Sequence, residues 1–189
     1  MRVNTAKISA WAEKALWTTG VLLLCYTAFT WGRASYEQAR GADEFLRQSA
    51  GATTPEVRLR EGSLIGRLEI PRLKVSAIIF EGTTDATLAK GVGHYARSPV
   101  GSGNVVLAAH RDTYFRPLQR IQTGDVITLA TPRKEVRYTV TYAKVVDPTD
   151  LEVVQPTSNS VLTLITCYPF SYLGAAPERF IVRAKADPS

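Results

Sequence analysis

Val161-Leu-Thr-Leu-Ile-Thr-Cys167-Tyr-Pro-Phe170 decides how this chain is read. β-branched and aliphatic residues from Val161 to Thr166 favour a pleated strand, and Pro169, which has no N–H to donate to a ladder, stops it just past the thiol. Alternation sets Val161, Thr163, Ile165 and Cys167 on one face and Leu162, Leu164 and Thr166 on the other. A packed sheet then fixes the direction of the sulfur. Taken alone, Cys167 is either a small buried hydrophobe or a nucleophile held rigidly at the edge of a groove.

Outward from this strand, the chain keeps to short extended runs. Ile65 to Ile70 ends at Pro71, Ala77 to Phe80 follows, and Thr84 to Lys90 has the composition of one helical turn capped by Thr84 or Asp85. Residues 91–103, with four glycines and a proline, are expected to be a loop; the glycine spacing fits neither a dinucleotide fingerprint nor a P-loop. Asn104 to His110 is an apolar run ending on a histidine. Thr113 can cap a short turn whose Tyr114, Phe115 and Leu118 pack back on the sheet. Asp125–Thr131 and Glu135–Val146 form a hairpin around Pro132-Arg133-Lys134, with Val136, Tyr138, Val140 and Tyr142 on one face and a bulge expected near Ala143. Asp147 to Asp150 is a turn, Leu151 to Gln155 leads into the cysteine strand, and Arg179 to Ala184 is the last strand. Seven or eight short strands with almost no helix predict an antiparallel barrel or sandwich.

The N-terminal region is of another kind. Ala15 to Gly32 runs 18 residues without a charge, about 27 Å of helix and enough to cross the apolar layer of a bilayer. Trp17 and Trp31 stand near its ends, and Arg2, Lys7 and Lys14 precede it, which predicts a cytoplasmic N-terminus and an extracytoplasmic remainder. The helix is expected to stay attached and not to be removed as a signal peptide. The organisation expected is residues 1–14 cytoplasmic, 15–32 transmembrane, 33–62 linker with a first part able to prolong the helix, and 63–186 catalytic. The length allows one domain of about 130 residues with a proper core.

The net charge is +6, from 23 basic and 17 acidic residues. Removing Arg2, Lys7, Lys14 and Glu13 with the N-terminal segment leaves a net of +4. That scattered excess suits an anionic envelope surface and argues against nucleic acid as a partner. The two cysteines, Cys25 and Cys167, provide neither a disulfide framework nor a zinc ligand set.

Three groups stand at strand termini: His110, Cys167 and Arg179. A thiol with an ordinary pKa of about 8.5 is mostly protonated at neutral pH, so an imidazole is needed to raise the thiolate population and to pass protons. A guanidinium, always charged, can donate to the oxygen that becomes negative when a thiolate attacks a peptide carbonyl. Each residue also has a plainer reading: His94 as a loop hydrogen-bonder, His110 as structural, Arg179 and Arg183 as solvated rim charges.

Thr163-Leu-Ile-Thr-Cys167, an arginine twelve residues on, and His110-Arg-Asp-Thr113 together resemble the sortases, the membrane-tethered cysteine transpeptidases of bacterial surfaces. The resemblance spans about Ser63 to Lys185 and is strongest to class D members, through His110-Arg-Asp-Thr-Tyr-Phe-Arg-Pro-Leu118 and Cys167-Tyr-Pro-Phe170. It implies a closed eight-stranded β-barrel of the sortase type and His110, Cys167 and Arg179 as the active triad, with Cys167 acylated. It also implies cleavage after threonine in a Leu-Pro-x-Thr-Gly or Leu-Pro-x-Thr-Ala signal. The partners implied are secreted proteins with a C-terminal sorting signal and an amine-bearing cell-wall precursor or pilin, at the cell membrane. His94, Thr166 and Tyr168 are the substrate-binding residues expected beside the triad. Ala109 departs from the family, which usually has glycine before the histidine. No cofactor is expected; some relatives bind calcium, but no dense acidic cluster marks such a site here. Two alternatives remain: a cysteine peptidase that only hydrolyses, and a non-catalytic tethered barrel that docks wall polymer or a partner.

Overall fold

The computed structural model describes residues 5–50, 60–100, 103–172 and 174–188. The chain divides into two compact units, Met1–Glu37 and Gln38–Ser189. Helix α1 (Thr5–Ala50) supplies the first as far as Glu37. Its described part Glu13–Arg47 holds an 18-residue stretch of mean hydropathy 1.2, long and apolar enough to cross a membrane, and Trp17, Leu22, Leu24, Phe29 and Trp31 are all exposed. The N-terminal residues 1–4 of the expected cytoplasmic segment lie outside the described residues.

In the second unit eight strands close into a barrel: β1 (Leu64–Ile70), β2 (Val75–Glu81), β3 (Val92–His94), β4 (Asn104–Ala108), β5 (Val126–Ala130), β6 (Glu135–Val146), β7 (Val161–Tyr168) and β8 (Glu178–Ala186). The order around the barrel is β1-β2-β3-β4-β7-β8-β6-β5. Most neighbours are antiparallel, as the short runs predict, but β2–β3 and β4–β7 are parallel. The parallel pair β4–β7 sets the carboxyl ends of two strands distant in sequence side by side. Closure also leaves no edge strand to pair with another chain.

Alternating residues fill the interior. Leu68, Ile70, Ile79, Leu107, Ile127, Leu129, Leu162, Leu164 and Val182 are at most 1% exposed and form one cluster with Phe115, Leu118 and Tyr138. Burying an aliphatic or aromatic side chain of this size contributes roughly 1.5–3 kcal/mol. In β6 the inward set is Val136, Tyr138 and Val140, after which the register with β8 shifts between Val140 and Tyr142. The bulge expected near Ala143 therefore falls at Thr141, and Tyr142 is exposed. Thr84, an extended residue, caps the short helix α2 (Asp85–Lys90), its side chain accepting from Thr87 N–H.

One expectation is corrected. Residues 92–94 of the glycine-rich stretch are not loop but β3, buried throughout. Glycine there serves close packing: a Cβ on Gly93 would lie 2.4 Å from the Gly82 carbonyl oxygen, and one on Gly91 would lie 2.6 Å from that of Ile78. In the expected linker 33–62, whose first part is able to prolong the helix, α1 runs as far as Ala50, and residues from Gln38 onward belong to the barrel unit; 51–59 lie outside the described residues. Gln38, Gly41 and Phe45 are spaced to share a helix face. Gln38 Oε1 accepts from Ile78 N–H at 2.9 Å while its Nε2 donates to the Lys90 carbonyl, and the Phe45 ring lies under the Arg67 guanidinium at 5.4 Å.

Candidate active site

The parallel ladder of β4 and β7 pairs Asn104 with Val161 and, at its far end, Ala108 with Ile165. Beyond it Ala109 N–H donates to the Ile165 carbonyl at 3.2 Å, and the Thr166 hydroxyl donates to the Ala109 carbonyl at 2.8 Å. The alignment thus persists to the residue before His110 and brings His110 to the level of Cys167. From the other side, β8 runs antiparallel to β7 with Cys167 directly opposite Arg179. Directly opposed residues project from the same face, with Cβ atoms about 4.5–5.5 Å apart. His110, Cys167 and Arg179 are all half-buried, so none is sealed in the core.

The face they occupy is the outer one. Leu162, Leu164 and Thr166 point inward, so Thr163, Ile165 and Cys167 point away from the core, and the registers add Val106, Ala108, Ile181 and Arg183 to the same side. Val106 and Ile181 are each 1% exposed yet stand outside the main core cluster, which means that something covers this part of the outer face.

The cover is explained by hydrogen bonds at Asn104. Its Nδ2 donates to the carbonyls of Val153 (3.0 Å) and Gln155 (2.8 Å), drawing in the 3-10 turn Glu152–Val154, whose Val153 is buried. Its Oδ1 accepts from the Thr163 hydroxyl at 2.6 Å and from Arg183 Nη1 at 3.0 Å; Arg183 Nη1 also donates to Thr163 Oγ1 at 2.7 Å. Arg183 is thus no solvated rim charge. Arg179 Nη1 donates to the carbonyls of Ala176 (3.2 Å) and Glu178 (3.0 Å), bonds that hold its guanidinium beside the β7–β8 loop. Arg111, next to His110, donates to the carbonyls of Tyr172 (2.6 Å) and Gly174 (3.0 Å) in that loop.

The expected substrate-binding residues fare differently. His94 is 2% exposed, with Nδ1 2.8 Å from Glu81 Oε2 and Nε2 3.0 Å from Ser98 Oγ, and Ser98 Oγ in turn accepts from Val106 N–H at 3.1 Å. Both ring nitrogens are engaged inside the protein, so His94 offers nothing to a peptide and instead ties β2, β3 and β4 together. Thr166 is 2% exposed and points away from Cys167; its hydroxyl fixes the backbone before His110. Tyr168 also alternates away from Cys167, its ring stacked on Phe180 at 6.2 Å and edge-on to Phe170 at 6.0 Å. Ala109, in the usual glycine position, packs its methyl into the core. Lys74 is the one non-glycine residue with positive φ among the described residues, so Ala109 causes no backbone strain.

Sequence reasoning missed Asn104, Glu81 and Ser98. An asparagine opening an otherwise apolar strand is the signal that could have singled out the first, since a buried carboxamide must find partners. Among the described residues no group of three His, Cys, Asp or Glu side chains is gathered to hold a metal ion.

Residues 68–187 match the Sortase domain family. The chain belongs to the sortase family. Sortase D of Bacillus subtilis (strain 168) is 41% identical over 127 residues, a match covering 66% of this chain but only 64% of that protein's length, just under two thirds. A Clostridium perfringens Sortase D5 transpeptidase has the same fold, with TM-score 0.70 over 81% of this chain and 99% of that one at 24% identity. Clostridium perfringens sortase C, solved with the C-terminal cell wall sorting motif, has TM-score 0.65 at 26% identity and covers 81% of this chain and 89% of its own. The sequence resemblance, class D included, agrees with these matches.

Proposed function

We propose that this chain is a membrane-anchored sortase that cuts a Leu-Pro-x-Thr-Gly or Leu-Pro-x-Thr-Ala signal after threonine and passes the acyl group to an amine of a cell-envelope acceptor. The observation that carries this reading is the pairing of Cys167 with Arg179 across β7 and β8, with His110 delivered to the same level by the parallel β4–β7 ladder. Placing reactive side chains on the ends of barrel strands lets a stiff scaffold hold them while loops shape the cleft.

The Cys167 thiolate attacks the threonine carbonyl carbon and forms the C–S bond. The negative charge that develops on the carbonyl oxygen meets the Arg179 guanidinium, whose permanent charge costs no proton transfer. As the intermediate collapses, the C–N bond breaks and His110 gives its proton to the leaving amine. A thioester remains on Cys167. An incoming amine then attacks it, His110 takes the amine's proton, and the thiolate departs, restoring the starting state.

The structure of Clostridium perfringens sortase C with the C-terminal cell wall sorting motif supports a secreted protein with such a signal as donor, and an amine-bearing wall precursor or pilin suits the second half-reaction. The apolar stretch of α1 supports anchoring in the cell membrane, with Arg2, Lys7 and Lys14 favouring a cytoplasmic N-terminus. Full-length protein in detergent, incubated with a signal peptide and with or without glycine-based or diamine acceptors, tests this reading. A transpeptidase yields an amide product that requires the amine. A hydrolase yields the same free acid in both cases, and a docking module leaves the peptide intact.

A further inference from the structure

Asn104 is 1% exposed and a carboxamide has two acceptor and two donor positions. All four are filled. Thr163 and Arg183 take the oxygen, and the carbonyls of Val153 and Gln155 take the nitrogen. The arrangement works in one orientation only, because turning the amide over would set its NH2 against the Arg183 donors and its oxygen against two carbonyls. Arg183 and Thr163 therefore fix which way Asn104 faces, and Asn104 fixes where the 152–154 turn sits.

The cluster lies on the same outer face as Cys167. Thr163 is four residues before Cys167 on β7 and Arg183 four beyond Arg179 on β8, a span of about 13 Å along each strand. Between the two ends the outer face is apolar; Ala108 and Ile165 are half-buried, while Val106 and Ile181 are each 1% exposed and lie covered. The turn held by Asn104 stands at the end away from Cys167, so what stays open to a peptide lies between that turn and Cys167.

We infer that Asn104, oriented by Arg183 and Thr163, is a positioning residue that sets the far wall of the peptide groove and governs substrate binding without taking part in the chemistry at Cys167. This rests on the sortase reading above. Asn104 touches no reacting group; it acts through the carbonyls of Val153 and Gln155.

Asn104→Asp in the full-length chain is the sharp test, since it keeps the size of the side chain and its acceptor for Arg183 but removes both donors to the turn. The expected result for a signal peptide is a KM raised about tenfold, the effect of losing hydrogen bonds worth roughly 1.4 kcal/mol, with kcat within about twofold of wild type. Amide hydrogens of 151–155 should exchange faster, while those of β5 and β6 should not change. Arg183→Met should reproduce this pattern and Arg183→Lys should restore part of it. Unchanged KM together with unchanged exchange at 151–155 overturns the inference, as does a loss in kcat alone. Should Asn104→Asp fail to fold, the Arg183 pair decides by the same readouts. Should the wild type not turn the peptide over at all, the sortase reading fails instead, and exchange at 151–155 still decides whether Asn104 holds the turn.

Discussion

Cys167 and Arg179 are cross-strand partners, directly opposed in the antiparallel pair β7–β8 and half-buried on the outer face of the barrel. Twelve residues separate them in sequence, and the intervening loop returns the chain so that the two positions stand opposite each other across the ladder. The expected consequence is that Arg179→Ala lowers kcat/KM by about 10²–10³, the usual cost of removing an oxyanion donor, and changes stability by less than about 1 kcal/mol. Steady-state kinetics beside a thermal melt separate the two effects. A loss in activity matched by a loss in melting temperature would instead assign Arg179 a structural role.

His94 gives the opposite expectation. Its ring is buried between Glu81 and Ser98, so His94→Ala leaves the Glu81 carboxylate without its buried partner and should cost about 2–4 kcal/mol. Denaturant unfolding measures this. The KM of whatever folded protein remains should match wild type, since His94 is closed to substrate.

Much of this was legible in the sequence, for identifiable reasons. The strand 161–168 announces itself through β-branched residues and Pro169, and His110 and Arg179 fall at the ends of similar runs, so the three could be nominated before any pairing was known. The alignment of His110 with the level of Cys167 depends on β4–β7 being parallel, which no local pattern reports. β3 was hidden because Gly91 and Gly93, chosen for close packing against neighbouring backbone, look like loop residues. The enclosure of His94 and Thr166 was not legible because burial by neighbours remote in sequence decides their exposure. The stretch from Gln38 could be read as prolonging the helix, but its mixed charges conceal a contact face of three residues, Gln38, Gly41 and Phe45.

That contact face is testable at Gly41, where an added Cβ would lie 3.0 Å from Ile78 Cγ2. Gly41→Leu should push the helix off β2 and destabilise the barrel unit by about 1–3 kcal/mol despite leucine's better helix propensity. A thermal melt that rises would show that propensity outweighs the lost packing.

Tyr138 is fully buried, and its hydroxyl has no hydrogen-bond partner among the described residues. Burial pushes its pKa up to about 12. The unfolded chain loses this proton first, so the associated stability is complete below about pH 10, the ordinary tyrosine value, and is lost as pH rises towards 12. Tyr138→Phe should stabilise the protein by about 1 kcal/mol at neutral pH and lessen its alkaline sensitivity. Urea midpoints at pH 7 and pH 10.5 provide the check.

Asp125 responds at the other end of the scale. Arg72 Nη2 donates to its Oδ2 at 2.6 Å and Arg72 Nε to its Oδ1, while Gln122 N–H donates to Oδ2 at 2.8 Å. The Arg72 hydrogen bonds, aided by the Gln122 amide and against the opposing effect of burial, hold the Asp125 carboxyl below the usual range. Its stabilisation is present above the ordinary carboxylate pKa and disappears as pH falls through the lowered folded value. Asp125→Asn should therefore lower stability at pH 7 and flatten the acid limb of a plot of stability against pH.

The most direct measurement of the central claim is the intact mass of the full-length chain after incubation with a Leu-Pro-x-Thr-Gly peptide and no amine. An adduct equal to the peptide acyl group ending in threonine, mapped to Cys167, absent from Cys167→Ala and much reduced in His110→Ala, is the result predicted. No adduct in the wild type, or one carried by Cys25, would contradict the assignment of Cys167 as the acylated nucleophile.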